Sequence, residues 1–219
     1  MKCIWEIPVT VKRKIASFRY LVRHRMLMQR LRSVLSRAGI EIYLLLWIEE
    51  SIDYAPQVKL DDNIEDYSFE FLRPDEMKNI SWLKEKQSED RLGKLEEGFK
   101  CLGVKYKGEI IGYTWAEPCK CSYAALKTDL RNNEAYLFDM HVSSSFRGRN
   151  VAPYLRIECY KALKSLGYDT CYSICDYFNT PSIKFKKKLN VKFLNLRLHV
   201  KLFKKFGWVW KLKEYKNWK

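Results

Sequence analysis

Residues 134–142 read Glu-Ala-Tyr-Leu-Phe-Asp-Met-His-Val, residues 143–150 read Ser-Ser-Ser-Phe-Arg-Gly-Arg-Asn, and Val151-Ala152-Pro153 follow. The first block is apolar and aromatic and predicts a strand. The third opens an amphipathic helix over Val151–Leu166, with Ala152, Leu155, Cys159, Ala162, Leu163 and Leu166 on one face and Gly167 as its stop. Pro153 suits a first helical turn, where its missing N–H costs nothing. The loop between them points several backbone N–H groups at one spot, and the helix start adds unpaired N–H groups and a positive dipole end. Arg147 and Arg149 add formal charge. The product is an anion site suited to a pyrophosphate.

Working outward, the spacing predicts a strand over Asp169–Ile174, a helix over Ser182–Leu189, and then an alternating segment. Leu194, Leu196, Leu198, Val200 and Leu202 alternate with polar residues, and Phe206, Trp208, Trp210 and Leu212 repeat that period. This predicts a long antiparallel hairpin with one buried face. Upstream, a short strand at Ser68–Leu72 precedes helices over Glu76–Lys86 and Ser88–Glu97. Strands Cys101–Tyr106 and Glu109–Trp115 are joined by a Lys107-Gly108 turn, and Pro118–Asn133 reads as a loop. Residues 11–38 carry Ile15, Phe18, Leu21, Val22, Met28, Leu31 and Leu35 at helical spacing, and Gly39 ends that helix. Ile40–Ile48 reads as a buried strand. Ser51–Asp66, polar and acidic with Pro56, reads as a linker. The expected division is a basic helix-strand extension over 1–60 and a main domain over 61–219.

The chain of 219 residues is long enough for one core, and its 15% aromatic content excludes general disorder. The net charge of +15 is uneven: +9 over residues 1–40, +12 over 180–219 and −6 between them. The alternating hairpin accounts for most of the C-terminal lysines as a solvent face, so nucleic acid is not the expected partner. The helix over 11–38 carries arginines around more of its circumference than a surface helix needs. Contact with an anionic surface or a membrane is the expectation there. The longest apolar run, Ile42–Ile48, is too short to cross a bilayer. The N-terminus shows no signal-peptide pattern, and seven cysteines fit a reduced, cytoplasmic location. No metal is expected: Cys119/Cys121 and Cys171/Cys175 lack a second ligand pair at zinc spacing.

The loop and a downstream run together resemble the GCN5-related N-acetyltransferase (GNAT) superfamily. The acyl-CoA loop of that family reads Arg-x-x-Gly-x-Gly/Ala, matched here by Arg147-Gly148-Arg149-Asn150-Val151-Ala152. Its later Asn-x-x-Ala/Ser motif is matched from Asn179 and Ser182 through Leu189-Asn190-Val191. The element order from about 67 to 213 is similar as well. Asn150 and Asn190 stand where the family has glycine, and Lys186 stands where it often has a tyrosine that protonates the leaving thiolate.

The resemblance implies an α/β (α+β) fold with a mixed, mostly antiparallel sheet flanked by helices. It implies acetyl transfer from acetyl-CoA to a primary amine by direct attack in a ternary complex. Met140, His141, Val142, Arg147, Gly148, Arg149, Asn150, Val151, Ala152, Asn179 and Ser182 are the expected CoA contacts. Backbone N–H groups near Met140–Val142 would polarise the thioester carbonyl. The amine needs a base, for which Asp139, Glu134 and Asp176 are candidates, with Lys186 as a candidate acid. A small metabolite or amino sugar is the favoured acceptor. A longer acyl group from acyl-CoA or a carrier protein, or a CoA-binding module without turnover, are the alternatives. A homodimer stays open.

Overall fold

In the computed structural model, residues 32, 34–78, 80, 85–123, 126–203 and 205–218 are described. The expected helix over 11–38 lies almost wholly outside them; of it, Arg32 and residues 34–37 are helical. The strands are β1 Ile40–Glu50, β2 Tyr67–Phe71, β3 Lys100–Tyr106, β4 Glu109–Pro118, β5 Lys120–Tyr123, β6 Leu126–Asp129, β7 Glu134–Val142, β8 Thr170–Asp176, β9 Lys192–Leu202 and β10 Phe206–Trp218. The helices are α1 Pro74–Lys78, α2 Glu85–Glu96, α3 Val151–Ser165 and α4 Thr180–Lys188. Eight strands form one sheet in the order β10-β9-β1-β8-β7-β4-β3-β2. All neighbours pair antiparallel except β7 and β8. The mixed, mostly antiparallel sheet with flanking helices is the expected class.

Two expectations need correction. Ile40–Glu50 is not part of an appendage ahead of residue 60. It is an inner strand, antiparallel to both β8 and β9, with Leu46 opposite Cys175 and Leu196. Its run of Leu44-Leu45-Leu46-Trp47-Ile48 is apolar on both faces because both faces are covered there. The acidic linker after it merely returns the chain to the far edge of the sheet. Secondly, Pro118–Asn133 is not a plain loop: β5 and β6 form a two-stranded hairpin inside it. The Lys107-Gly108 turn is as expected, with φ of 49° and 87°, the twist that a two-residue hairpin turn needs.

The main core lies between the sheet and α3, where Leu155, Cys159 and Leu163 meet Leu46, Ile48, Leu137 and Val104. On the opposite face, Met77 and Leu92 pack with Tyr113 and Trp115, and the β5–β6 hairpin covers Trp47 and Tyr136. The C-terminal hairpin forms, but its apolar alternation is not buried along β10. Phe206, Trp208 and Trp210 stay 52%, 44% and 47% exposed, because β10 is the sheet edge and no described element covers it.

Candidate active site

β7 and β8 are paired in parallel from Glu134↔Thr170 to Leu137↔Ser173, and their pairing stops there. Beyond that point β7 carries a bulge. Tyr113 faces His141 and Trp115 faces Phe138, so Thr114 alone stands opposite Asp139 and Met140. Asp139 takes φ of 40°, which bends the strand away from β8. Gly112 lets the two strands close up at its end: a Cβ there would lie 2.7 Å from the His141 carbonyl oxygen. The result is a cleft opening between the two parallel strands and leading to the loop at 143–150.

That loop makes one 3₁₀ turn over Ser144–Phe146. Gly148 follows at φ 85°, and Asn150 at φ 60° supplies the left-handed step into α3. Asn is among the few side chains that adopt this geometry at small cost. Its amide is anchored sideways: Nδ2 donates to Asp61 Oδ1 at 2.7 Å, and Oδ1 accepts from Lys188 Nζ. A pocket of about 240 Å³ is lined by Phe146, Arg147, Gly148, Asn150, Ala152 and Lys188, among others. Arg147 is exposed there, with Nε donating to the Val142 carbonyl at 3.3 Å. Arg149 turns away toward the linker, 3.4 Å from Asp62, while Tyr67 donates to the same carboxylate at 2.6 Å. The Tyr67 hydroxyl and Arg149 hold the Asp62 carboxyl below its usual range.

The four candidate catalytic residues part company. Asp139 sits on the bulge at the open end, its side chain 42% exposed. Arg91 of α2 donates to it at 3.1 Å and to the Tyr113 hydroxyl at 2.6 Å. Asp176 ends β8 at the same open end. It accepts from Phe178 N at 2.8 Å and pairs with Arg32, whose guanidinium also lies 4.9 Å from the Tyr43 ring centroid. Glu134 lies at the closed end, about 16 Å along β7 from Asp139 at strand rise. There it accepts from Arg131 N and the Tyr172 hydroxyl. That position removes it as a base for chemistry in the cleft.

Lys186 is also placed elsewhere than expected. It is buried, ion-paired with Glu50 of β1, and donates to the Ser173 hydroxyl at 2.8 Å. Tyr160 and Arg156 of α3 meet the same carboxylate, Arg156 at 3.8 Å. Burial pushes the Glu50 carboxyl up, but Lys186 and Arg156 together pull it down further, to about 2. This is a structural charge network, neither a solvated helix residue nor an acid facing the cleft.

Of the expected CoA contacts, Met140, His141 and Val142 close the β7 arm. Burial, with Arg147 nearby, lowers the His141 pKa, so its imidazole is neutral at pH 7. It stacks on Tyr113 at 6.1 Å. Arg147, Gly148, Asn150, Val151 and Ala152 form the loop and helix start. Asn179 and Ser182 stand at the start of α4, where the Asn179 side chain caps the helix by accepting from Ser182 N at 3.2 Å. Sequence reasoning missed Lys188, Arg91, Arg32 and Asp61. Only Lys188 had a visible signal, the run Lys186-Lys187-Lys188 at a helix end. Among the described residues, no group of three or more His, Cys, Asp or Glu is arranged to hold a metal. No described helix is long and apolar enough to cross a membrane.

A strand with a bulge that leaves its parallel neighbour, followed by a tight turn into a helix start, is the arrangement that the fold brings together here. The model of the acetyltransferase (GNAT) family matches residues 60–190, more than half of the chain, and the chain belongs to that family. Among solved structures, it is similar to a Drosophila protein at 16% identity and TM-score 0.52, covering 80% of this chain and 57% of that one. A conserved Staphylococcus epidermidis protein of unknown function has 7% identity and TM-score 0.50, with 80% and 66% covered. A tandem GNAT protein of the clavulanic acid pathway has 13% identity and TM-score 0.49, with 80% and 55% covered. The chain therefore spans under two thirds of the length of these structures, and at such identities the first two support the fold alone. No curated protein matches the sequence.

Proposed function

We propose that this chain transfers an acetyl group from acetyl-CoA to a primary amine, with a small metabolite or amino sugar as the favoured acceptor. The observation that carries the reading is the end of β7–β8 pairing at Leu137↔Ser173 beside the Asp139 bulge, in line with the 143–150 turn. The residues present suit acetyl-CoA. Arg147, Gly148, Asn150, Val151, Ala152 and Lys188 offer cations and helix-start N–H groups to its pyrophosphate. The Met140–Val142 backbone flanks the place for a thioester carbonyl.

In this reading the amine nitrogen forms the new C–N bond as the C–S bond breaks. Holding both reactants side by side supplies much of the rate. Asp139 takes the proton the amine must lose, directly or through water, because it is the candidate carboxylate most open to the cleft. Lys186 is not given the acid's role. A thiolate whose conjugate acid has a pKa near about 8.5 leaves without a dedicated donor. The test is a panel of primary amines, with release of the CoA thiol as readout. Acceptor-stimulated release supports the transferase. Acetyl-CoA binding with no release for any amine supports a CoA-binding module instead.

A further inference from the structure

β1, β9 and β10 run past the end of β8, and their overhang carries an uncharged grid. The pairing puts Ile40, Leu202 and Phe206 in one row, Ile42, Val200 and Trp208 in the next, and Leu44, Leu198 and Trp210 in the third. Residues directly opposite in a ladder share a face, so all nine point the same way. The main core reaches this face only as far as the next row, Leu46 and Leu196. Phe206, Trp208 and Trp210 stack in a ladder at 6.4 and 6.5 Å between centroids. Phe203 at the turn is 72% exposed. The cations lie outside the grid: Lys201, Arg197 and Lys211 occupy the alternating positions behind it, Lys205 sits at the tip, and Lys213, opposite Leu196, borders it in the next row.

We propose that this overhang is a docking face for the surface of an anionic phospholipid bilayer. Charge selects among the candidates for covering it. Residues 192–219 carry nine basic residues and one acid. A second copy would bring the same net +8, and the chain's own residues 1–31 carry net +7. Both would be repelled, whereas anionic headgroups would be attracted to the rim of cations. A nucleic acid would need cations interleaved with the rings to follow its phosphates. Here no cation stands among the nine positions of the grid, Lys205 and Lys213 lying only at its borders, and tryptophans on such a face suit the level of the headgroups. The inference rests on strand register and charge and is independent of the acyl-CoA reading. It differs from the expectation for residues 11–38, which concerns another segment.

The full chain is mixed with vesicles of phosphatidylcholine alone and of phosphatidylcholine with phosphatidylglycerol, and sedimented. Binding to the anionic vesicles only, weakened at least about tenfold in W208S/W210S, is expected; tenfold corresponds to about 1.4 kcal/mol. Both side chains are exposed, so the fold should survive, as circular dichroism would check. In the native chain, phosphatidylcholine brominated along its acyl tails, mixed into the anionic vesicles, should quench tryptophan emission. The proposal is overturned by no binding to anionic vesicles, or by binding without quenching that is unchanged in W208S/W210S. Self-association without vesicles that W208S/W210S abolishes, or displacement of vesicles by single-stranded RNA from this face, would also overturn it.

Discussion

Lys186 of α4 and Glu50 of β1, 136 residues apart in sequence, form a buried ion pair beside the stretch where β7 and β8 are still paired, Glu50 standing opposite Cys171. The pair joins β1 to the helix that follows β8. With Ser173, Tyr160 and Arg156 it ties β1, β8, α3 and α4 together. A lysine at this place is accounted for by that partner rather than by proton transfer.

Removing one member should be costly. K186A leaves a buried carboxylate without its main partner, which is expected to cost about 3–5 kcal/mol. Urea denaturation would measure it. If the residual folded enzyme is assayed, its pH–rate profile should keep the shape of the wild type, because no titrating catalytic group has been removed.

The same network makes an acid limb. Glu50 titrates near 2 in the folded chain and near 4.5 unfolded. The unfolded chain therefore takes up the proton first, and stability falls as pH drops from about 4.5 toward 2, while above that range the contribution is complete. E50Q should be less stable than wild type at pH 7 and show a flatter loss on acidification. Urea titrations at stepped pH would test both.

Asp139 and Glu134 are expected to separate cleanly. D139N should lower kcat by about 10²–10⁴, the usual worth of a general base, with KM for acetyl-CoA little changed. E134Q should leave kcat unchanged, because Glu134 lies at the closed end of β7. Steady-state kinetics with any accepted amine would decide.

Much of the fold was legible where periodicity was strong. The hairpin at 101–118, the strand-loop-helix at 134–165 and the alternation after 192 all form as their spacing predicts. What the spacing could not reveal was order in the sheet. Ile40–Ile48 reads as a buried strand, but nothing local says that it lies between β8 and β9, since that depends on contacts some 120–160 residues away. Likewise, period-two alternation in Phe206–Leu212 identifies a strand with an apolar face and cannot say whether another layer covers it. At the site, the loop chemistry was readable from Arg147, Gly148 and Asn150. The partners that tie it down, Asp61, Asp62 and Lys188, come from other elements and leave no mark on the motif.

Gly112 has a local reason to be glycine. In G112A the new methyl would meet the His141 carbonyl at 2.7 Å and Val142 Cγ2 at 3.1 Å. The end of β7 must then shift, at about 1–3 kcal/mol. Weaker acetyl-CoA binding should accompany the loss of stability, read by calorimetric titration.

Asp62 holds Arg149 away from the loop, and in the proposed acetyl-CoA reading it would compete with a phosphate for that guanidinium. D62N should free the guanidinium and remove a negative charge beside the loop. Acetyl-CoA affinity should rise about two- to fivefold, the scale of an exposed ion pair worth under about 1 kcal/mol. The gain should shrink at high salt.

In the acetyl-CoA reading, the turn at 143–150 grips the pyrophosphate. The direct measurement is the melting temperature of the chain with and without acetyl-CoA, alongside R147E. Ligand at a hundredfold excess over Kd stabilises by about 2.7 kcal/mol. The wild type should therefore melt several degrees higher with ligand, and R147E, equally folded without it, should show no rise. A folded wild type unmoved by millimolar acetyl-CoA, or an R147E shift equal to that of the wild type, would contradict the account.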